Sequence, residues 1–249
     1  MKIDPALQEG VLEKRYKRFL ADVKLTGGQL LTLHCPDTGS MKNCQAPGSR
    51  VWFSTAANLK RKYRHTWEIV EVQNKHLVGI NTGRANSLVR EAIETSVIKE
   101  LGGYESIRAE VPYGKPKIPN SRHGSRIDFL LEGSNNPQKS DCYVEVKNVS
   151  LGVGNGLGLF PDAVTIRGHK HLQELIDVRK AGNRAVLCFC VQHTGINRLQ
   201  PADEIDPEYG RLLRLASETG VELIAYGANV DTDLSVIELT RKLTVELPV

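Results

Sequence analysis

The sequence has few cysteines and no long apolar run. Its 249 residues include five cysteines, an odd number without a secretory leader, which favours free thiols in a reducing compartment. No apolar stretch approaches the length that crosses a membrane, and the N-terminus lacks the basic and then apolar pattern of a signal peptide. We therefore expect a cytoplasmic protein with no membrane partner.

Several common active-site patterns are also missing. The sequence contains no G-x-S-x-G motif, no Walker motif and no Cys–His arrangement. Cys35 and Cys44 are spaced too widely for a zinc knuckle, and Cys188 and Cys190 alternate in an apolar strand pattern that predicts burial. The stretch LGVGNGLGLF (151–160) has glycine at every second position, so the dinucleotide register G-x-G-x-x-G fails. We expect it to form a mobile loop.

Positive charge is concentrated in the first third of the chain. The whole chain has a net charge of +4, but residues 1–82 hold 13 Lys or Arg against 7 Asp or Glu. Two clusters interleave cations with aromatic rings, which is typical of surfaces that bind phosphates and stack bases. The predicted nucleic-acid-binding residues are Lys14, Arg15, Tyr16, Lys17, Arg18, Lys60, Arg61, Lys62, Tyr63 and Arg64. The alternatives are that the aromatic side chains, including Phe19 and Trp67, form a core beneath a solvated rim, or that the cations meet anionic lipid.

The pattern of secondary structure changes near residue 82. Residues 19–80 are short β runs separated by Gly and Pro turns, which predicts a small closed barrel of the oligonucleotide-binding (OB) kind, although an SH3-like barrel gives a similar pattern. Residues 86–101 have helical periodicity, and strands then alternate with helices at about 164–180 and 207–219. We therefore predict an all-β domain at 1–82 and a mixed α/β domain at 83–249, with helices on both faces of its sheet.

The segment YVEVKN (143–148) contains the strongest candidate for chemistry. Side chains two apart on a strand share a face, so Glu145 and Lys147 lie together. Antiparallel pairing with the preceding strand brings Asp128 beside Glu145, and two carboxylates that meet favour a divalent cation such as Mg²⁺ or Mn²⁺ between them. We predict metal ligands at Asp128, Glu145 and the Val146 carbonyl, with Lys147 orienting water or holding developing charge. The alternative is an ordinary ion pair on a solvated strand face.

Two helices supply further candidates. Glu91 lies on the first predicted helix, and we expect it to bring a further acidic group to the same point. His171 and Glu174 are three apart on a later helix, a spacing found in metal sites, but a second carboxylate set is missing. We therefore prefer phosphate or water contacts for His169, Lys170 and His171.

The segments EKRYKRFLADV, LTLHCPDTGSM, KRKYRHTWE, NSLVREAI, SRIDFLL, CYVEVKNVSL and FPDAVTIRGHKHLQEL together resemble the bacterial and archaeal sugar fermentation stimulation protein family. The resemblance implies an N-terminal OB barrel and a C-terminal restriction-endonuclease-like domain of the PD-(D/E)xK fold, with DNA as the partner. Asp128, Glu145 and Lys147 match the nuclease motif, and Glu91 matches the acidic position on its first helix. Ile166 stands where an acidic residue is usual in the family, so no role is transferred to it; Asp162 is retained as a second group near the site.

Two functions are consistent with these features. One is a DNA-binding phosphodiesterase that uses Mg²⁺ or Mn²⁺ on single-stranded or branched DNA. The other is a non-catalytic DNA-binding regulator of sugar-metabolism genes that retains a nuclease fold. RNA is a third possible ligand, and the sequence makes no prediction about oligomeric state.

Overall fold

The computed structural model describes residues 1–113, 125–134 and 140–248. These parts of the chain contain fourteen strands and three α-helices in two sheets. The first sheet contains β1 Gln8–Tyr16, β2 Leu20–Lys24, β3 Leu30–His34, β4 Arg50–Thr55, β5 His65–Val72 and β6 His76–Gly79. The second contains β7 Ser106–Tyr113, β8 Ser125–Glu132, β9 Cys142–Val149, β10 Leu157–Phe160, β11 Arg184–Val191, β12 Arg198–Pro201, β13 Glu222–Asp231 and β14 Val236–Val245. The helices are α1 Ala85–Glu94, α2 Ile166–Lys180 and α3 Pro207–Glu218.

The first sheet closes into a five-stranded barrel. Its order is β3-β2-β1-β4-β5-β6, and the circle is completed by a parallel pairing of β3 with β5 at His34 and Thr66. The predicted hairpin is present, since β2 and β3 pair antiparallel from Leu20 opposite His34 to Lys24 opposite Leu30. Closure removes the sheet edges that would otherwise remain unpaired. The OB-type barrel expected from the turn pattern is therefore confirmed.

The barrel interior is filled by alternating side chains of these strands. Phe53 and Trp67 are fully buried, and the indole nitrogen of Trp67 donates to the Ile69 carbonyl at 2.9 Å. Phe19, in contrast, is 40% exposed in the turn before β2. The core interpretation is therefore correct for Trp67 but wrong for Phe19.

The second sheet is mixed and has its most apolar strands at the centre. Its order is β10-β12-β14-β13-β11-β9-β8-β7. The central strands β9, β11 and β13 run parallel, and β8 pairs antiparallel with β9. Central parallel strands are covered on both faces and therefore have nearly continuous apolar sequences. The segment RAVLCFCV of β11 follows this rule, and Cys188 and Cys190 are fully buried, as their alternation predicted.

Helices cover both faces of the second sheet. Leu88 and Val89 of α1 pack with Val144 and Val146 on one face. The other face packs against α2 and α3 through a second apolar cluster that includes Leu187 and Leu172. This arrangement confirms the mixed α/β prediction.

Two local expectations differ from the structure. Helix α1 ends at Glu94, not near residue 101, because Ser96 adopts a positive φ of 60° that interrupts the helix. The glycine-rich stretch forms strand β10 in its second half. Gly152 packs so closely on His193 that a Cβ there would lie 2.5 Å from the ring, so this glycine allows close packing.

The two sheets are joined by several contacts besides the connecting chain. The N-terminal residues pair with the second sheet, where Ile3 donates its backbone N–H to Ser235 at 2.7 Å. The Asp162 carboxylate accepts from Ser40 Oγ at 2.8 Å and from the Met41 N–H at 3.1 Å. Within the described residues, no helix has the length and apolar character needed to span a membrane.

Candidate functional site

Strands β8 and β9 bring two carboxylates together. Phe129 pairs with Val144, so continuation of the antiparallel register places Asp128 opposite Glu145. Oδ2 of Asp128 accepts the backbone N–H of Val146 at 2.7 Å. In an extended strand the N–H and C=O of one residue point to the same neighbouring strand, so the Val146 carbonyl lies on the side of Asp128.

Glu145 is 2% exposed and lies on the face of β9 covered by α2, since its neighbour Leu187 on β11 packs in that core. Its Oε1 accepts from Lys147 Nζ at 2.7 Å and contacts His171 Nδ1. Its Oε2 is buried without a hydrogen-bond partner among the described residues. A buried polar atom left unpaired costs about 1–3 kcal/mol, and a bound cation would remove that cost.

Burial and neighbouring charges shift the pKa values of the two carboxyl groups in opposite directions. The pKa of Asp128 is raised, chiefly by burial and further by the nearby Glu145 charge. The hydrogen bonds from the Val146 N–H and the Asn86 amide lower it, but by less. Burial alone would also raise the pKa of Glu145, but the hydrogen bond from His171 and the charge of Lys147 bring it below the usual value.

The donor set fits a hard divalent cation. Asp128 and Glu145 supply carboxylate oxygens, and Glu145 Oε2 has no partner in the described structure. Strand geometry places the Val146 carbonyl on the same side of β9 as the Val146 N–H that Asp128 accepts. In the described parts of the chain, no three His, Cys, Asp or Glu side chains converge as they would in a dedicated metal cage. Mg²⁺ is commonly held by only one or two carboxylates together with water and phosphate oxygens.

Glu91 is not brought to this site. Its carboxylate pairs with the N-terminal ammonium of Met1 at 2.8 Å, and its side chain is 46% exposed. The side chain of α1 that reaches the site is Asn86, whose amide donates to Asp128 Oδ1 at 2.9 Å. Five residues rotate a helix by about 140° from the starting direction, so the two side chains cannot face the same point. Asn86 was not among the predicted site residues, because no acidic motif marks it.

Helix α2 forms the other side of the site. His171 is buried against Glu145, and its Nε2 accepts from Arg167 Nε at 3.2 Å. His169 is directed elsewhere, because its Nε2 contacts the Asp206 carboxylate at 2.8 Å. Glu174 Oε1 accepts from Ser125 Oγ at 2.7 Å.

Three further candidates lie in other surroundings. Lys170 is near Glu174, with 3.5 Å between Nζ and Oε1. Asp162 binds the barrel loop described above and not the carboxylate pair. Ile166 is 73% exposed at the start of α2.

The first basic cluster lies at the end of β1 and in the β1–β2 turn (17–19). Lys17 and Arg18 are exposed in left-handed backbone conformations, with φ values of 49° and 66°. Arg15 instead donates to the carbonyls of Asp37 and Gly39 at 2.9 and 3.0 Å, so it fastens a loop. The remaining members also have partners in the barrel: Lys14 and Tyr16 both contact Asp22.

The second basic cluster lies in the β4–β5 loop (56–64). Its cations Lys60, Arg61 and Lys62 are exposed, and Lys62 Nζ lies 5.5 Å from the centre of the Tyr63 ring. Arg64 donates to the Ala56 carbonyl at 3.3 Å and closes the base of the loop.

Both basic segments meet at one end of the barrel, around His34. Leu20, just after the β1–β2 turn, pairs with His34. Burial lowers the pKa of His34, and the charge of Arg61 lowers it further, so the β4–β5 loop lies close by. In OB folds, these two connections and the face of strands 2 and 3 are where oligonucleotides bind.

An OB barrel joined to a restriction-endonuclease-like mixed sheet defines a nuclease-like class of fold. Family models agree: residues 14–80 match the SfsA N-terminal OB domain, and residues 83–234 match the sugar fermentation stimulation protein RE domain. The chain belongs to the sugar fermentation stimulation protein family.

Curated relatives extend over nearly the whole chain. A sugar fermentation stimulation protein homolog of Shewanella frigidimarina is 53% identical, covering 98% of this chain and 99% of its own length. The homolog of Shewanella loihica is 52% identical, with 98% of each chain covered. Among solved structures, Pyrococcus furiosus SfsA in complex with Ca²⁺ matches with a TM-score of 0.81 and 25% identity, covering 99% of this chain and 98% of that one.

Proposed function

We propose that the protein binds DNA and hydrolyses a phosphodiester bond at a divalent-metal site on β8 and β9. The observation that supports this most directly is the position of Asp128 opposite Glu145, with Lys147 Nζ bonded to Glu145 and with Glu145 Oε2 unpaired among the described residues. Mg²⁺ or Mn²⁺ is the proposed metal. The related Pyrococcus protein was solved with Ca²⁺, another cation that prefers oxygen ligands.

The chain's own residues have separate roles in this proposal. Asp128, Glu145 and the Val146 carbonyl hold the cation, which when bound would polarise the phosphate and lower the pKa of a water molecule. Lys147 is 14% exposed and sits beside Glu145. Its ammonium orients the attacking water or stabilises the negative charge that develops on the phosphate oxygens.

The barrel supplies the binding surface in this proposal. The exposed cations of the β1–β2 turn and the β4–β5 loop contact backbone phosphates, while Phe19 and Tyr63 stack on bases. Stacking suits unpaired strands because every base presents a π face. We therefore favour single-stranded or branched DNA as the substrate.

A specific observation favours the second candidate, a DNA-binding regulator without catalysis. Glu91 lies away from the carboxylate pair, so the site has one fewer acidic group than the family motif implies. In that case Asp128, Glu145 and Lys147 would be a buried charged network that supports the fold.

A cleavage experiment separates the two candidates. The purified full-length protein is incubated with single-stranded, duplex and branched DNA in Mg²⁺ or Mn²⁺, alongside Lys147→Ala, Asp128→Asn and the matched control Lys99→Ala. Lys99 is an exposed lysine in a short 3-10 helix after α1. Cleavage by the wild type and the control, lost in both site variants while DNA binding is kept, supports the enzyme. Binding without cleavage of any substrate supports the regulator, and an RNA competitor tests which nucleic acid is preferred.

A further inference from the structure

A chain of contacts links Glu145 to the surface through α2. Arg167 Nε donates to His171 Nε2 at 3.2 Å, and His171 Nδ1 contacts Glu145 Oε1. A guanidinium only donates hydrogen bonds and a carboxylate only accepts them, so both contacts are satisfied when the ring proton lies on Nδ1. Lys147 Nζ also lies 3.1 Å from Nδ1, and its hydrogen bond goes to Glu145 Oε1 instead. His171 therefore donates to Glu145 and accepts from Arg167.

Two donors thus hold the same carboxylate oxygen. Lys147 Nζ lies 2.7 Å from Glu145 Oε1, and His171 approaches the same oxygen from α2. The carboxylate is fixed by Oε1, and Oε2 remains without a protein partner in the described structure. Groups that orient a metal-binding side chain in this way also tune its affinity for the metal.

Arg167 has hydrogen-bonding capacity left on its outer side. Residues 167 and 171 are four apart and share a helix face, and the Arg167 side chain is exposed. Its Nε is used by His171, while its two NH₂ groups have no hydrogen-bond partner among the described residues. Lys170, with a side chain 35% exposed, lies on the same helix. The Arg167 guanidinium is therefore held through Nε by His171, and its two NH₂ groups remain available at the edge of the carboxylate site.

We propose that Arg167 binds a phosphodiester group of the nucleic acid and that His171 is a positioning residue for Glu145. This inference rests on the proposed function. The NH₂ groups of a guanidinium match the spacing of two phosphate oxygens. Because Arg167 contacts both the phosphate and His171, phosphate binding on α2 and cation binding at Glu145 strengthen each other.

The role of His171 is tested with Ca²⁺, measured by titration calorimetry on the full-length protein. His171→Leu removes the donor and should weaken Ca²⁺ binding roughly 10–100-fold, as loss of a supporting hydrogen bond to a ligand does. His171→Asn keeps an N–H donor near the position of Nδ1 and should restore most of the affinity. Thermal melting of both variants shows whether they are folded.

The role of Arg167 is tested by fluorescence anisotropy with a labelled single-stranded oligonucleotide in Ca²⁺ and, separately, in EDTA. Arg167→Gln should weaken binding and reduce the salt slope by about 0.7, as the loss of one phosphate contact does on single-stranded DNA. The effect should be larger in Ca²⁺ than in EDTA. The matched control is Arg211→Gln, since Arg211 borders the same groove between α2 and α3 but is 61% exposed and paired with Glu208.

The outcomes separate this inference from the proposed function. The inference is overturned, and the proposed function stands, if the wild type binds Ca²⁺ and DNA but the variants show no specific defect. In that outcome His171→Leu binds Ca²⁺ normally and Arg167→Gln behaves like Arg211→Gln. If the wild type binds neither Ca²⁺ nor DNA, both are overturned. Rescue by His171→Asn together with a specific defect in Arg167→Gln supports the inference.

Discussion

Glu68 is the most highly connected buried carboxylate between the two sheets in the described residues. It is 1% exposed, on β5, and its two oxygens accept from Arg84 Nε at 2.6 Å and Arg84 Nη2 at 2.7 Å. The same carboxylate accepts from Asn81 at 2.8 Å and from Ser54 at 2.7 Å. Since Arg84 immediately precedes α1, this cluster fixes the helix that carries Asn86 relative to the barrel.

Replacement of Glu68 by alanine leaves the Arg84 guanidinium, 23% exposed, without its partner. Breaking a buried pair on one side costs about 3–5 kcal/mol, because the remaining charge is still desolvated. For a chain of this size about 1 kcal/mol corresponds to 2–4 °C in Tm, so Tm should fall by roughly 6–20 °C. The double variant Glu68→Ala/Arg84→Ala should be less destabilised than Glu68→Ala alone, since no unpaired charge remains.

Thermal melting followed by circular dichroism measures the change in Tm, and urea unfolding measures the change in unfolding free energy. The control is Glu71→Ala on the same strand, where the carboxylate lies 3.4 Å from Arg50 and has no other ion pair among the described residues. That change should cost no more than about 1 kcal/mol. A Glu68→Ala variant as stable as Glu71→Ala, or a double variant that loses the sum of the two single losses, would refute the reasoning.

Three further predictions concern pH, metal and salt. Burial would raise the pKa of Asp206, but the N–H groups of Thr165 and Tyr209 and the His169 ring lower it overall. The ionised Asp206 carboxylate therefore stabilises the fold above the unfolded pKa of about 3.9, and this stabilisation is lost as pH falls through the lower folded pKa. Urea unfolding at several pH values should show that the loss of unfolding free energy in Asp206→Asn becomes smaller in acid. A loss that stays constant with pH would contradict this. Ca²⁺ at a hundredfold its Kd should raise the unfolding free energy by about 2.7 kcal/mol. Calorimetry should show that this stabilisation is lost in Glu145→Gln. A Glu145→Gln variant that Ca²⁺ stabilises as much as the wild type would disprove the prediction. If about five cations contact phosphates, log K should fall with log[salt] at a slope near −3.5 for single-stranded DNA and near −4.5 for duplex DNA. A slope near zero in anisotropy titrations would exclude the barrel surface.

The fold was predictable where local patterns were strong. Alternating apolar residues and Gly or Pro turns indicated the barrel, and helical spacing indicated α2 and α3. The end of α1 was not predictable, because apolar spacing continues past Glu94 while Ser96 leaves the helical conformation. The prediction for Glu91 failed for a related reason: the sequence shows that Glu91 lies on a helix, but it does not show how that helix is rotated about its axis.

The two basic clusters were also predictable only in part. Composition placed the positive charge in the first third of the chain, yet it could not separate Arg15, which fastens a loop to the barrel, from Lys17 and Arg18, which are exposed. A backbone carbonyl as the partner of an arginine leaves no trace in the sequence.

The sequence by itself determined that Glu145 and Lys147 share a strand face, because side-chain alternation is a local property of an extended chain. Only the tertiary structure decided that Asp128 lies opposite Glu145 and that Asn86, not Glu91, contacts Asp128. It also decided that His171 and Arg167 approach Glu145 from α2. These relations depend on strand register and on how each helix packs over the sheet, and both are set by contacts between residues far apart in the chain.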